Sequence, residues 1–204
     1  MSEQRKEKIS TCLEENIKYF NQVLNVEHNF DVIYRVIQFG GKSALLYFID
    51  GFCKDEILEK LMEFFYKIKP DAMPEDAHTM IKQQMPYVEV DLMEEKEQII
   101  QSILSGTPCL IIDGYAKAIM ADARSYPLRG VDEPEKDKVL RGSRDGFVET
   151  LVFNTALIRR RIRTPQLTME ITTVGRSSRT DIVMCYLKDR VDKKSIKTSA
   201  RENS

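Results

Sequence analysis

Two eight-residue runs rich in Val, Ile, Leu, Tyr and Phe, Val32–Phe39 and residues 43–50, are separated only by Gly40, Gly41 and Lys42. The first run alternates apolar with polar residues, as a half-buried strand does, and the second is apolar enough for the centre of a sheet. A Gly-Gly step supplies the left-handed backbone of a tight turn, so the pair reads as a β-hairpin. An all-helical fold is thereby excluded, and the rest of the chain must cover this hairpin. The same glycines invite a phosphate-loop reading through Gly40-Gly41-Lys42-Ser43. That motif needs a further glycine where Val36 stands and a helix, not a strand, after Ser43.

The flanking segments supply the cover. Ile9, Leu13, Ile17, Phe20 and Leu24 recur at steps of four and three, which predicts a helix within residues 1–26. Asp55 opens a helix carrying Ile57, Leu58, Leu61, Met62, Phe65 and Ile68, closed by Pro70. A short helix is expected near Ala77–Gln84 and another over residues 94–104, stopped by Gly106. Residues 109–112 and 117–120 form a second hairpin across Asp113-Gly114. Residues 27–123 thus read as a first α/β subdomain in the order β-β-α-α-β-β, with a mixed or antiparallel sheet flanked by helices.

Around residue 124 the character changes. Tyr126-Pro127 and Glu133-Pro134-Glu135 punctuate a polar crossing. Beyond it Phe147, Leu151, Val152, Ile158 and Ile162 mark a helix. Leu167–Val174 alternates as a strand, Gly175 turns, and residues 181–187 run back. A polar tail begins at about residue 190. Residues 124–204 are therefore expected to form a partial second subdomain. The fold class is α/β of mixed α+β character, in two small subdomains of which the second is incomplete.

Charge and composition narrow the function. The net charge of −1 argues against a nucleic-acid partner. It conceals a split: residues 1–124 hold 14 basic and 21 acidic side chains, whereas residues 125–204 hold 17 and 11. Such halves either dock on one another or present a basic surface to a partner. Cys12, Cys53, Cys109 and Cys185 have neither metal nor redox spacing. With His28 and His78 alone, histidine-based catalysis is poorly supplied. Asp145-Gly146-Phe147 lacks every companion motif of a kinase. No apolar run approaches the ~20 residues of a membrane helix, and no secretory signal opens the chain. No catalytic, cofactor-binding or metal-binding set emerges.

The run Arg159-Arg160-Arg161-Ile162-Arg163 stands out. At a helix C-terminus it complements the macrodipole. It also offers either a headgroup-binding patch or planar forks for carboxylates. Four arginines without a lysine favour the forks. Arg159 and Arg163, four residues apart beside the apolar face, are expected to pair inside the domain. Arg160 and Arg161 are expected to reach a neighbouring subunit or subdomain. Asp145 is expected to cap the helix bearing Phe147.

Arg141-Gly142-Ser143-Arg144-Asp145-Gly146-Phe147, followed by Asn154-Thr155-Ala156-Leu157-Ile158 and the arginine run, resembles the signature of the A subunit of GerA-family spore germinant receptors. Val174-Gly175-Arg176-Ser177-Ser178-Arg179-Thr180 agrees on the far side. At Ser143 the family usually carries proline. The resemblance marks Arg141, Arg144, Asp145, Asn154, Arg159, Arg160, Arg161 and Arg163 as structural or interface residues. It implies nutrient-triggered germination, without enzymatic chemistry, in a complex with a transporter-like B subunit and a lipoprotein C subunit, and self-association. The complex sits in the spore inner membrane with this domain on its cytoplasmic side. Family members continue into membrane helices, so this chain reads as truncated and soluble, contacting the membrane only through the missing helices or its partners. The alternative function is a small-molecule binding module with a cleft between its two subdomains.

Overall fold

The computed structural model describes residues 6–85, 89–125 and 146–192. The hairpin about Gly40-Gly41 forms as β1 (Val32–Phe39) and β2 (Lys42–Ile49), in antiparallel register from Val32↔Ile49 to Phe39↔Lys42. Gly40 and Gly41 both have positive φ at the turn. β2 then pairs with β4 (Cys109–Ile112), β4 with β5 (Ala118–Ala121), and β5 with β3 (Val90–Met93), all antiparallel. The sheet order is β1-β2-β4-β5-β3.

Successive residues of a strand point to opposite faces, so an apolar run in a central strand feeds two cores. Leu45, Tyr47 and Ile49 of β2 join Cys109, Ile111 and Met120 beneath α1 (Leu13–Leu24) and α4 (Lys96–Leu104). Ala44 and Leu46 join Leu110, Ile112 and Ile119 beneath α2 (Asp55–Lys67) and α3 (Ala77–Gln84). The result is a sheet between two helical layers. At the end of α4, Gly106 (φ +95) lets the chain pass Phe52, whose Cδ2 would lie 2.4 Å from an added Cβ.

Beyond the sheet, α5 (Leu151–Arg161) leads to a separate antiparallel hairpin of β6 (Leu167–Val174) and β7 (Thr180–Leu187). The mixture of helices and antiparallel sheets is the α/β class expected from the sequence.

Several local expectations are corrected. The first helix starts at Leu13, because Ile9 is held in extended backbone by its N–H bond to Glu94 O (2.9 Å). β3 is an edge strand absent from the sequence reading, and α4 begins only after it. Phe147 lies before α5 and is 67% exposed, so it does not share that helix's buried face. Ile162 follows the helix and is exposed as well. Arg141, Arg144, Asp145 and the crossing from residue 126 lie outside the described residues.

Candidate functional site

Helix α5 carries Asn154, Arg159, Arg160 and Arg161 of the residues that the sequence singled out, and its N-terminus is built by Asn154. That side chain accepts a hydrogen bond from Val148 N–H (2.7 Å) and donates one to Val148 C=O (2.7 Å). The N-cap Thr150 makes no side-chain cap bond. The loop between β2 and α2 receives the helix at Gly51, where an added Cβ would sit 3.1 Å from Val152 Cγ1 and 3.4 Å from Ala156 Cβ. Ala156 also enters the core beneath α1 and α4. Small residues on both sides bring the helix backbone close to the sheet.

That approach carries Arg159 into the interior with no exposed surface. Its Nε donates to Asp31 Oδ2 (2.7 Å) and its Nη2 to Asp31 Oδ1 (3.1 Å), a two-pronged grip on a carboxylate that is itself 2% exposed. Nη1 reaches the Thr164 and Leu167 carbonyls at 3.5 Å. The planar pairing of an arginine with an acid of the first unit therefore occurs at Arg159. The spacing of 128 residues gave no local signal for Asp31.

Arg163 behaves otherwise. The helix ends at Arg161 and Ile162 leaves helical geometry, because the following Thr164-Pro165 step disfavours its continuation. Arg163 is exposed, and its Nε donates to Arg160 C=O at 3.0 Å, capping the helix end. The expected pairing of Arg163 with an acid inside the domain is replaced by this cap. Arg160 and Arg161 are exposed on the outer side of α5, each with contacts in the chain. Phe153, seven residues before Arg160 and so on the same helix face, is 45% exposed.

Burial holds the Asp50 carboxyl above its ordinary value, with Asp55 and Asp31 adding to the effect. Burial also pushes the Cys53 thiol up to about 12, the opposite of what a nucleophilic thiolate needs. Among the described residues no three His, Cys, Asp or Glu side chains are placed to hold a metal ion. None of the described helices is long and apolar enough to cross a membrane.

An open groove of about 530 Å³ lies between the α1–β1 loop and the β6–β7 hairpin. Val26, Phe30, Ile182 and Met184 give it apolar walls, and Glu27, His28 and Glu170 its polar rim. His28 Nδ1 meets Glu170 Oε1 at 2.8 Å there.

A profile of the Bacillus/Clostridium GerA spore germination protein family matches residues 18–202. Stage V sporulation protein AF of Bacillus subtilis (strain 168) is 35% identical over 180 residues, covering 87% of this chain. Spore germination protein B1 of the same strain is 29% identical over 191 residues, covering 89% of this chain. The chain spans 36% and 38% of the lengths of these two relatives. The crystal structure of the N-terminal domain of the A subunit of the Bacillus megaterium spore germinant receptor GerK3 superposes with a TM-score of 0.73 at 20% identity. The match covers 98% of this chain and 74% of that one, and it shows a shared fold.

Proposed function

The chain belongs to the GerA spore germination family, and from that premise we propose that it serves spore germination as a non-enzymatic part of a germinant receptor A subunit. In this reading it assembles with transporter-like B and lipoprotein C subunits at the spore inner membrane and passes on the nutrient signal. A boundary near residue 124 would divide the five-stranded unit from the unit bearing α5 and the hairpin.

The observation that supports an assembly role is the contrast along α5. One side buries Arg159 on Asp31 and fixes the helix, while the other presents Phe153, Arg160 and Arg161. Aromatic and arginine side chains side by side on an exposed face are the types that anchor protein interfaces. Arg141, Arg144 and Asp145 are proposed to belong to the same surface or its support. The test uses spores that produce the full protein. A Phe153→Ala, Arg160→Ala, Arg161→Ala variant is expected to germinate poorly with nutrients, while the 204-residue chain carrying it melts as a folded protein. Normal germination of those spores would refute an interface on this face.

The groove beneath the hairpin supports a second reading, a small-molecule binding module. Its apolar walls and polar rim suit a small molecule with an aliphatic body and a charged end. Titration of single nutrients into the isolated chain, followed by NMR shifts of Phe30 and Met184, separates the two readings. Saturable shifts there favour the module, and their absence across the nutrient set leaves assembly as the role.

A further inference from the structure

We propose that Asn29, Asp31 and Arg159 form one buried clasp that sets the orientation of the β6–β7 hairpin on the five-stranded sheet, and that opening it releases the hairpin while the sheet stays folded. Asn29 is the central piece and is 2% exposed. Its Nδ2 donates to Leu24 C=O at the end of α1 (2.8 Å). Its Oδ1 accepts from Met169 N–H on β6 (2.8 Å) and from Arg159 Nη2 on α5 (3.4 Å). One amide therefore ties together α1, α5 and the hairpin. Phe30 N–H, the next donor along, bonds Met169 C=O (3.1 Å), so the Asn29–Phe30 segment grips the same β6 residue from both backbone ends.

The apolar packing points the same way. Leu167 and Met169 are buried at the hairpin base, yet both lie outside the two apolar clusters that fill the faces of the sheet. Apolar contact is non-directional, and although Ala156 of α5 joins the core beneath α1 and α4, the base of the hairpin stands apart from it. Direction is supplied by hydrogen bonds and by the Arg159 fork, whose geometry tolerates little rotation. At the surface of this joint the His28–Glu170 pair has side chains 56% and 29% exposed, and exposed pairs hold little.

A clasp of this kind has two states. Closed, the Asn29 amide, the Asp31 carboxylate and the Arg159 guanidinium each have partners. With one partner removed, a charge is left unpaired in the interior, and the simplest relief is for the hairpin to lift and admit water. Hydrogen exchange of the 204-residue chain tests this at peptide resolution. In Asp31→Asn, peptides covering residues 167–187 are expected to exchange about 10²- to 10⁴-fold faster, the factor that an orphaned buried charge implies. Peptides covering β2 and β4 should keep their wild-type rates. Arg159→Lys retains the charge but loses the fork, so it should accelerate the hairpin about tenfold. His28→Ala should leave the hairpin within about twofold of wild type.

Equal acceleration of sheet and hairpin in either clasp variant would overturn the proposal, since the pair would then serve global stability. Wild-type hairpin exchange in both variants, or acceleration by His28→Ala as large as by Asp31→Asn, would overturn it too. If Asp31→Asn does not fold, Arg159→Lys decides. If neither folds, the sheet depends on the clasp and the proposal fails.

Discussion

Arg159 and Arg163 stand one helical turn apart in the sequence, yet one is sealed in the interior and the other caps a helix end in solvent. The difference follows from the last turn of α5 ending before position 163 is reached. Arg159→Ala is therefore expected to cost about 3–5 kcal/mol, because it strands Asp31, whereas Arg163→Ala should stay within about 0.5 kcal/mol. Urea denaturation of both variants checks the contrast. Asp50 gives a second residue-level prediction. Its folded-state pKa is raised, chiefly by burial, so the native protein holds this proton more tightly than the unfolded chain. The associated stability is fully present below the unfolded value and is lost as the pH rises through the raised one. Asp50→Asn removes that loss, so its melting temperature should exceed the wild-type value at about pH 7 and lose the advantage near pH 3. Arginine pairing itself was legible, since the run lacks lysine. Asp31 was not, because no local pattern distinguishes a carboxylate that will be buried from one that ends a helix.

Two helices begin with the same device. In α1, Asn16 accepts from Ser10 N–H (3.0 Å) and donates to Ser10 C=O (2.6 Å), as Asn154 does to Val148 at the start of α5. Each asparagine is the fourth residue of its helix and bonds the residue six positions earlier, folding the incoming chain against the first turn. Asn154→Ala should cost about 1–3 kcal/mol, the value of two lost bonds with a partly buried backbone pair left open. Asn16→Ala should cost more, because Asn16 is only 1% exposed. Thermal melts of the two variants rank them, and equal melting with wild type would show the bonds to be incidental. At the end of α4, Gly106→Ala meets both a positive φ and the Phe52 ring, so its melting temperature should fall further than that of either asparagine variant. Elements with strong punctuation were readable: the first hairpin between its glycines, α3 before its proline-rich neighbours, and β6 by strict alternation. β3 escaped because four residues at a sheet edge, paired only with β5, carry too little alternation to rise above loop sequence. The start of α1 escaped because Ile9 satisfies the helical period by coincidence. It enters the core beneath α1 and α4 from a segment bonded strand-like to Glu94.

On the scale of the whole molecule, the acidic and basic halves of the sequence pointed either to docking by net charge or to a basic surface turned to a partner. The structure distributes that attraction unevenly. Between described residues, the Arg159–Asp31 ion pair and the His28–Glu170 hydrogen bond join the sheet unit to the unit of α5 and the hairpin. The pairs Lys6–Glu95, Lys8–Glu94 and Lys96–Glu7 instead tie the N-terminal segment to the β3–α4 region within the acidic half. Docking by diffuse surface charge would be screened once the Debye length falls from about 14 Å at 0.05 M salt to about 4 Å at 0.5 M. A bidentate pair with both partners buried is reached by little of that screening. Over this range the melting temperature of the chain should move by less than about 2 °C, and the slow exchange of the hairpin peptides should persist. At 200 residues, a loss of 1 kcal/mol lowers the melting temperature by about 2–4 °C. A fall beyond about 5 °C, accompanied by faster exchange in residues 167–187, would mean that the opposed charges of the two halves hold them together. A flat salt profile combined with collapse of hairpin protection in Asp31→Asn would assign the joint to one buried carboxylate.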